Sequence, residues 1–290
     1  MSRIHDALRN LERSQELIPE NTLNLHSADV RQLLDVSTCS VEDGVPPLSP
    51  RVPANSLEAI RAPKDGTERT WRLEPTSMLS FDGTVSRRAA EEFRALRTRL
   101  YQLREKQPLK SLLVTSAVPQ EGKSFVAANL ARVLALQEGC RVLLVDADLR
   151  GRALHRMFGT SASPGLAEYL LHEIDGFEVM QRGKADNLFL IPSGRTVAGP
   201  AELLANGQFR MLTSRLGTSF DWIVVDSPSV TSVSDSCSLT NCCDGVLMVV
   251  RSRATVFDLI RKALERFPEE ALIGVVLNEI EQEVSSKKRN

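Results

Sequence analysis

Residues 111–124 read SLLVTSAVPQEGKS, and residues 125–136, FVAANLARVLAL, follow directly. A β-branched apolar run empties into a short loop closed by Gly122, Lys123 and Ser124, and the next segment has helical periodicity. The pattern is strand, phosphate loop, helix. Backbone N–H groups converging at a helix N-terminus, with the helix dipole behind them, suit a polyanion such as a nucleoside triphosphate. Gly122 lets the backbone approach, Lys123 would reach the β- and γ-phosphates, and the Ser124 hydroxyl would take a place on Mg²⁺. The consensus GxxxxGK[ST] has glycine where this chain has Ala117. A loop with a chance GKS and a solvated lysine is the alternative, and the rest of the chain decides between the two.

Residues 141–150, RVLLVDADLR, are a buried-type strand tipped by Asp146 and Asp148 and followed by Arg150. Residues 220–230, FDWIVVDSPSV, are a second such strand, ending in Asp226. Carboxylates at the ends of parallel strands face the ligand crevice of an open α/β sheet, where Mg²⁺ takes oxygen ligands. Further strands read at 188–192, 244–252 and 272–278, about six in all, separated by helical stretches. Alternation of this kind implies an α/β fold of the P-loop NTPase type, a mostly parallel central sheet covered by helices on both faces. A phosphate loop and two carboxylate-tipped strands, in that order, exclude the chance-loop alternative.

Upstream, residues 86–105 form a strong helix with Phe93, Leu96, Leu100 and Leu103 on its apolar stripe. Glu91, Arg94 and Arg97 recur on another face, where they can contact each other, pair with a neighbouring subunit or simply be solvated. Residues 1–18 carry a short amphipathic helix, with Ile4, Ala7, Leu8 and Leu11 in line, that docks on its own domain or on a partner. Residues 19–85 lose periodicity and gain Pro, Ser, Thr, Asn and Asp, so they read as a mostly disordered linker, with a weak strand or helix near Thr70 to Leu79 left open. The domain is expected over 86–280 and a tail over 281–290.

The 290 residues are 42% apolar with a net charge of −1, which allows a real core and gives no global grip on nucleic acid or on a membrane surface. No apolar run approaches the roughly eighteen residues of a membrane span, and the start lacks a signal-peptide core, so a cytoplasmic chain is expected. The five cysteines include no CxxC pair and read as buried or idle thiols.

These motifs resemble the bacterial tyrosine kinases that accompany polysaccharide chain-length regulators, over about residues 86–280. SAVPQEGKS is similar to the family's Walker A, which usually has glycine at Gln120. LLVDADLR resembles its Walker A-prime motif, and WIVVDSPS its Walker B, with Ser229 for the usual second proline. Glu91, Arg94 and Arg97 match the ExxRxxR motif of ring assembly. PSGRTVAGPAELL is also similar, with Gly199 where asparagine is common.

The resemblance implies an ATP-dependent protein-tyrosine kinase with Mg²⁺. Ala117, Gln120, Glu121, Gly122, Lys123, Ser124 and Phe125 would cradle the nucleotide. Ser124, Asp146 and Asp226 would hold the metal, and Lys123, Asp146, Asp148 and Asp226 would be catalytic, with either Asp146 or Asp148 as base. Arg150 would neutralise developing charge or pair with a carboxylate, and Asn278 would meet the adenine edge or merely form a turn. His155, Phe158, Tyr101 and Tyr169 read as packing or surface residues. The implied activator is an inner-membrane polysaccharide copolymerase, which would hold a homo-oligomeric ring at the membrane, without nucleic acid.

One departure stands out: the end, EQEVSSKKRN, has no tyrosine cluster, so autophosphorylation of a tail is not expected. Two other functions share the motifs. A nucleotide-gated switch of the partitioning and septum-positioning class usually has a second lysine early in the loop, where this chain has Ala117, Val118 and Pro119. A ring component that binds ATP with little turnover is the other.

Overall fold

A computed structural model describes residues 67–76, 78–79, 87–183, 187–231 and 235–278. The expected N-terminal helix, most of the linker and the tail lie outside these residues. Among the described residues eight strands form one sheet in the order β1-β4-β5-β3-β6-β2-β7-β8. They are β1 (Thr67–Glu68), β2 (Ser111–Ser116), β3 (Val142–Asp146), β4 (Gln181–Arg182), β5 (Leu188–Ile191), β6 (Trp222–Asp226), β7 (Gly245–Arg251) and β8 (Leu272–Asn278). All neighbouring pairs are parallel except β4 and β5.

The helices are α1 (Arg87–Arg104), α2 (Lys123–Ala135), α3 (Leu154–Met157), α4 (Leu166–Leu170), α5 (Pro200–Ala205), α6 (Gln208–Gly217), α7 (Asp235–Thr240) and α8 (Phe257–Leu264). The central strands are apolar throughout because both sheet faces are covered, and their side chains alternate between two cores. Leu113, Val145, Ile223, Val225 and Met248 join one core, which also takes Phe209 and Leu212 of α6 and Ile260 of α8. Leu112, Val114, Leu144, Trp222 and Val224 join the other, with Val126, Leu130 and Leu134 of α2 and Phe93 and Leu100 of α1. The stripe expected on α1 is the face that packs, Leu96 and Leu103 at its margin.

The chain leaves β2 through α2 to β3 on one side and later reaches β7 on the other, while β6 returns between β3 and β2. Chain direction across the sheet thus switches beside β2, and the carboxyl ends of β2, β3 and β6 meet at one crevice.

The linker boundary expected at residue 85 falls too late. Thr67 and Glu68 pair with Gln181 and Arg182. Trp71 packs edge-on against Phe158, ring centroids 4.9 Å apart. The N–H groups of Arg72 and Glu74 donate to the carbonyls of Phe158 and Met157, and Met78 is buried. Leu79 donates to Asn129 Oδ1 (2.8 Å) and accepts from Arg132 (2.5 Å). Residues 67–76 and 78–79 therefore form an arm laid over α2 and α3. Apolar residues spaced irregularly in a polar stretch bury piecewise, with no periodicity to announce it.

Candidate active site

The phosphate loop leaves β2 at Ser116 and enters α2 at Lys123. Two of its residues take left-handed backbone conformations, Gln120 (φ 66°) and Gly122 (φ 87°). A side chain at such a φ costs on the order of 1 kcal/mol, which accounts for glycine being usual at the Gln120 position. At Gly122 a Cβ would also collide with the Asn278 amide.

Glu121 is not turned outward to a ligand. Its buried carboxylate accepts from the Val118 N–H (2.8 Å), the Arg251 N–H (3.2 Å) and the Thr255 hydroxyl (2.5 Å). It braces the loop against the end of β7. Burial raises its pKa, and the Thr255 and backbone hydrogen bonds oppose that rise. Asn278, at the end of β8, donates Nδ2 to the Glu121 carbonyl (3.0 Å), so its amide N–H is engaged with the loop. Phe125 packs its ring against Phe93 of α1 (6.1 Å between centroids), leaving its backbone rather than its ring for a phosphate. Ala117 is fully buried, its carbonyl accepting from the Thr231 hydroxyl at 2.7 Å.

Four predicted residues converge at the crevice. Lys123 Nζ lies 2.8 Å from Asp148 Oδ2, and Asp148 Oδ1 accepts the Gly151 N–H at 2.8 Å. Asp146 and Asp226 are register partners on the adjacent strands β3 and β6, and both are fully buried. Asp146 Oδ2 accepts the Leu154 N–H (3.2 Å). Among the described residues, Asp146 Oδ1 and both Asp226 oxygens have no hydrogen-bond partner.

Burial without compensation costs several kcal/mol per ion, and the electrostatics reflect it. Burial, and then the neighbouring Asp226, push Asp146 well above the usual carboxylate range. Burial lifts Asp226 to about 7, against the downward pull of Lys123 and the nearby Ser124 hydroxyl. For Lys123 burial alone would lower the pKa, but Asp226, Asp148 and Asp146 outweigh it and raise it.

Asp146 Oδ1 and the Asp226 carboxylate, with the Ser124 hydroxyl beside it, are oxygen ligands of the kind a hard divalent cation takes, and the chemistry of the donor set fits one. Among the described residues no cluster of three or more His, Cys, Asp or Glu could cage a metal alone. Such an ion would complete its shell with phosphate oxygens and water.

The remaining candidates are spread out. Arg150 is exposed just beyond the A-prime strand. His155 is half-buried, while Phe158 is fully buried under Trp71. On α1, Arg94 pairs with Glu91 (2.6 Å), and Arg97 donates to the Val133 carbonyl at the end of α2 (3.0 Å). Tyr101 accepts from Trp222 Nε1 (3.3 Å) and contacts Cys140 Sγ (3.6 Å), and Tyr169 is buried. Both tyrosines pack, as expected. Among the described residues Cys140 is buried, Cys242 and Cys243 are half-buried, and all three are free thiols. The Glu121 brace escaped the sequence reading, which left structure near Thr70 to Leu79 open and did not find the arm's packing. A tryptophan, a methionine and a leucine in a polar stretch were the available signal for the arm.

Residues 112–290 match the CobQ/CobB/MinD/ParA nucleotide binding domain. Tyrosine-protein kinase YwqD of Bacillus subtilis is 34% identical over 191 residues, covering 65% of this chain and 80% of that protein. Tyrosine-protein kinase wzc of Salmonella typhimurium is 31% identical over 206 residues, 70% of this chain but 28% of that longer protein. The solved kinase domain of Escherichia coli tyrosine kinase ETK superposes with a TM-score of 0.66 at 29% identity, over 72% of this chain and 83% of that one. With the carboxylate pair, the braced loop and Lys123 in place, this chain belongs to the bacterial tyrosine kinases, a branch of the CobQ/CobB/MinD/ParA nucleotide-binding domains.

Proposed function

We propose that the protein is an ATP-dependent protein-tyrosine kinase that regulates polysaccharide synthesis and export. The observation that carries this reading is the convergence of Lys123, Asp148, Asp146 and Asp226 behind a phosphate loop, in a chain 34% identical to a tyrosine-protein kinase. The loop N–H groups and Lys123 hold the triphosphate, and Ser124, Asp146 and Asp226 would hold Mg²⁺. Mg²⁺, when bound, neutralises charge on the phosphate oxygens and lets the two buried carboxylates ionise.

Phosphoryl transfer requires positioning and charge neutralisation more than covalent chemistry. The phenolic oxygen forms a bond to the γ-phosphorus as the bond to the bridging oxygen breaks, and ADP leaves with that electron pair. The phenolic proton needs an acceptor. Asp146 is enclosed between strands, whereas Asp148 caps the loop that opens outward at Gly151. Asp148 is therefore the better placed base once phosphate draws Lys123 away from it.

An inner-membrane copolymerase as activator, a ring built through Glu91, Arg94 and Arg97, and a cytoplasmic location beside that membrane complete the proposal. Among the described residues no helix is long and apolar enough to cross a membrane. The ring component with little turnover is kept as a second reading, because both tyrosines of the chain are packed inside the fold. Incubation with labelled ATP, Mg²⁺ and tyrosine-bearing polypeptide separates the two. Transfer to tyrosine, absent in Lys123→Met, supports the kinase; ATP binding with no transfer to any acceptor, even beside the copolymerase's cytoplasmic segment, removes it.

A further inference from the structure

A cavity of about 450 Å³ opens beside the catalytic carboxylates. One wall is the loop after β3, with Arg150, Gly151, Arg152, His155 and Arg156; the other is the turn leading into α5, from Thr196 to Pro200. Its charged lining is basic, while the Asp148 and Glu202 carboxylates lie against Gly151 and Gly199 of its walls. Its first wall is fixed to the reaction centre at two points. Asp148 accepts the Gly151 N–H, and Asp146 accepts the Leu154 N–H, one residue before His155.

The two walls are stitched together by one side chain. Arg152, in a left-handed conformation (φ 48°), donates to Thr196 Oγ1 and to the Gly194 carbonyl, both at 2.6 Å. Arg156 donates to the Gly151 carbonyl at 3.2 Å and is otherwise exposed. Two buried nitrogens in this wall, Arg152 Nε and His155 Nδ1, have no hydrogen-bond partner among the described residues. A preformed basic cavity with unsatisfied nitrogen, one hydrogen bond from Asp148, matches an anionic polypeptide better than a neutral or basic one.

We infer that this cavity is the acceptor-side subsite, and that it receives an acidic segment of the protein that carries the target tyrosine. The inference rests on the kinase reading and adds a substrate class to it. Carboxylates flanking the tyrosine meet Arg156 and Arg150 at the rim while the phenol reaches Asp148. Arg152 acts as a positioning residue, fixing the spacing between the walls.

The test uses the full chain with ADP and Mg²⁺ and two labelled peptides that differ only in having glutamate or glutamine around a central tyrosine. Fluorescence anisotropy should show about tenfold tighter binding of the glutamate peptide, the scale of one or two partly desolvated charge pairs, and the preference should shrink at high salt. Arg156→Glu should abolish it, and Arg156→Lys should keep most of it. Equal binding of the two peptides, or a preference that survives Arg156→Glu, overturns the inference even where both peptides are phosphorylated. Preferential binding lost in Arg156→Glu, with no transfer from ATP to these or any other acceptor, leaves an acidic-peptide site but overturns its acceptor role together with the kinase reading.

Discussion

Lys123 Nζ sits 2.8 Å from Asp148 Oδ2, so the lysine assigned to phosphate is paired with a carboxylate of the same site. Two roles follow from one contact. The pair offsets charge among three crowded carboxylates, and it keeps the lysine extended toward the loop it must serve. Lys123→Met should lower phosphate transfer by at least about a hundredfold, the scale of losing one preorganised charge at a developing anion. It should also weaken ATP binding in calorimetry while circular dichroism keeps the wild-type helix content. ATP affinity equal to wild type would refute the phosphate role.

Asp226 predicts how stability changes with pH. Its pKa in the fold is about 7, whereas an unfolded aspartate titrates near 4. Between these values the folded chain holds a proton that the unfolded chain has released, so raising the pH destabilises the fold. Stability without nucleotide should be full below about pH 4, fall through pH 7 and level off above it. Asp146 acts in the same direction. Urea unfolding at pH 5 and pH 8 should differ by a few kcal/mol at most, on the order of 1.4 kcal/mol for each pH unit separating the folded and unfolded titrations, and Asp226→Asn should flatten the slope. A fold more stable at pH 8 than at pH 5 contradicts this electrostatic picture.

Much of the fold was legible because the informative residues are neighbours in sequence. Apolar runs ending in Asp146 and Asp226 mark strands buried on both faces, and Gly122-Lys123-Ser124 marks a loop entering a helix. What escaped depends on contacts between distant segments. Glu121 reads as one of the residues cradling the nucleotide until Thr255 and the Arg251 N–H, 130 or more positions away, close around its carboxylate. Asn278 reads equally well as a base contact or a turn former, and only the return of β8 beside the loop shows its amide on the Glu121 carbonyl. The arm has no period to detect, because Trp71 and Met78 each find a different cover in the fold.

Asn278 makes a separable prediction. A residue that reads the adenine edge discriminates between bases, whereas one that props the loop affects every nucleotide alike. With its N–H spent on the Glu121 carbonyl, Asn278→Ala should weaken ATP and GTP binding by a similar factor, several-fold for one buried hydrogen bond of roughly 1 kcal/mol. A change confined to the ATP-to-GTP ratio would return Asn278 to the base.

The α1 arginines differ in their commitments. Arg97 is tied to the Val133 carbonyl within its own chain, and Arg94 is half-exposed beside Glu91. If this face joins subunits, Arg94→Ala should lower the mass in light scattering while leaving the thermal midpoint nearly unchanged, since an exposed i,i+3 pair contributes only about 0.5 kcal/mol. Arg97→Ala should lower both. A mass unaffected by either substitution would leave Glu91 and Arg94 a solvated pair.

The arm also couples packing to catalysis. Trp71 covers Phe158, and Phe158 follows α3, whose first residue, Leu154, donates its N–H to Asp146. Removing the indole leaves Phe158 uncovered and loosens the loop that Asp146 and Asp148 anchor. Trp71→Ala should cost about 2–3 kcal/mol of stability, below the roughly 3–5 kcal/mol of a fully buried tryptophan because Trp71 is half-buried. Trp71→Phe should restore most of it. If the arm only adds stability, transfer rates measured well below the unfolding transition will match wild type. The chain of contacts from Trp71 to Asp146 predicts instead a several-fold fall in turnover for Trp71→Ala with ATP affinity retained, because the loop it supports carries the acceptor side of the site rather than the phosphate loop.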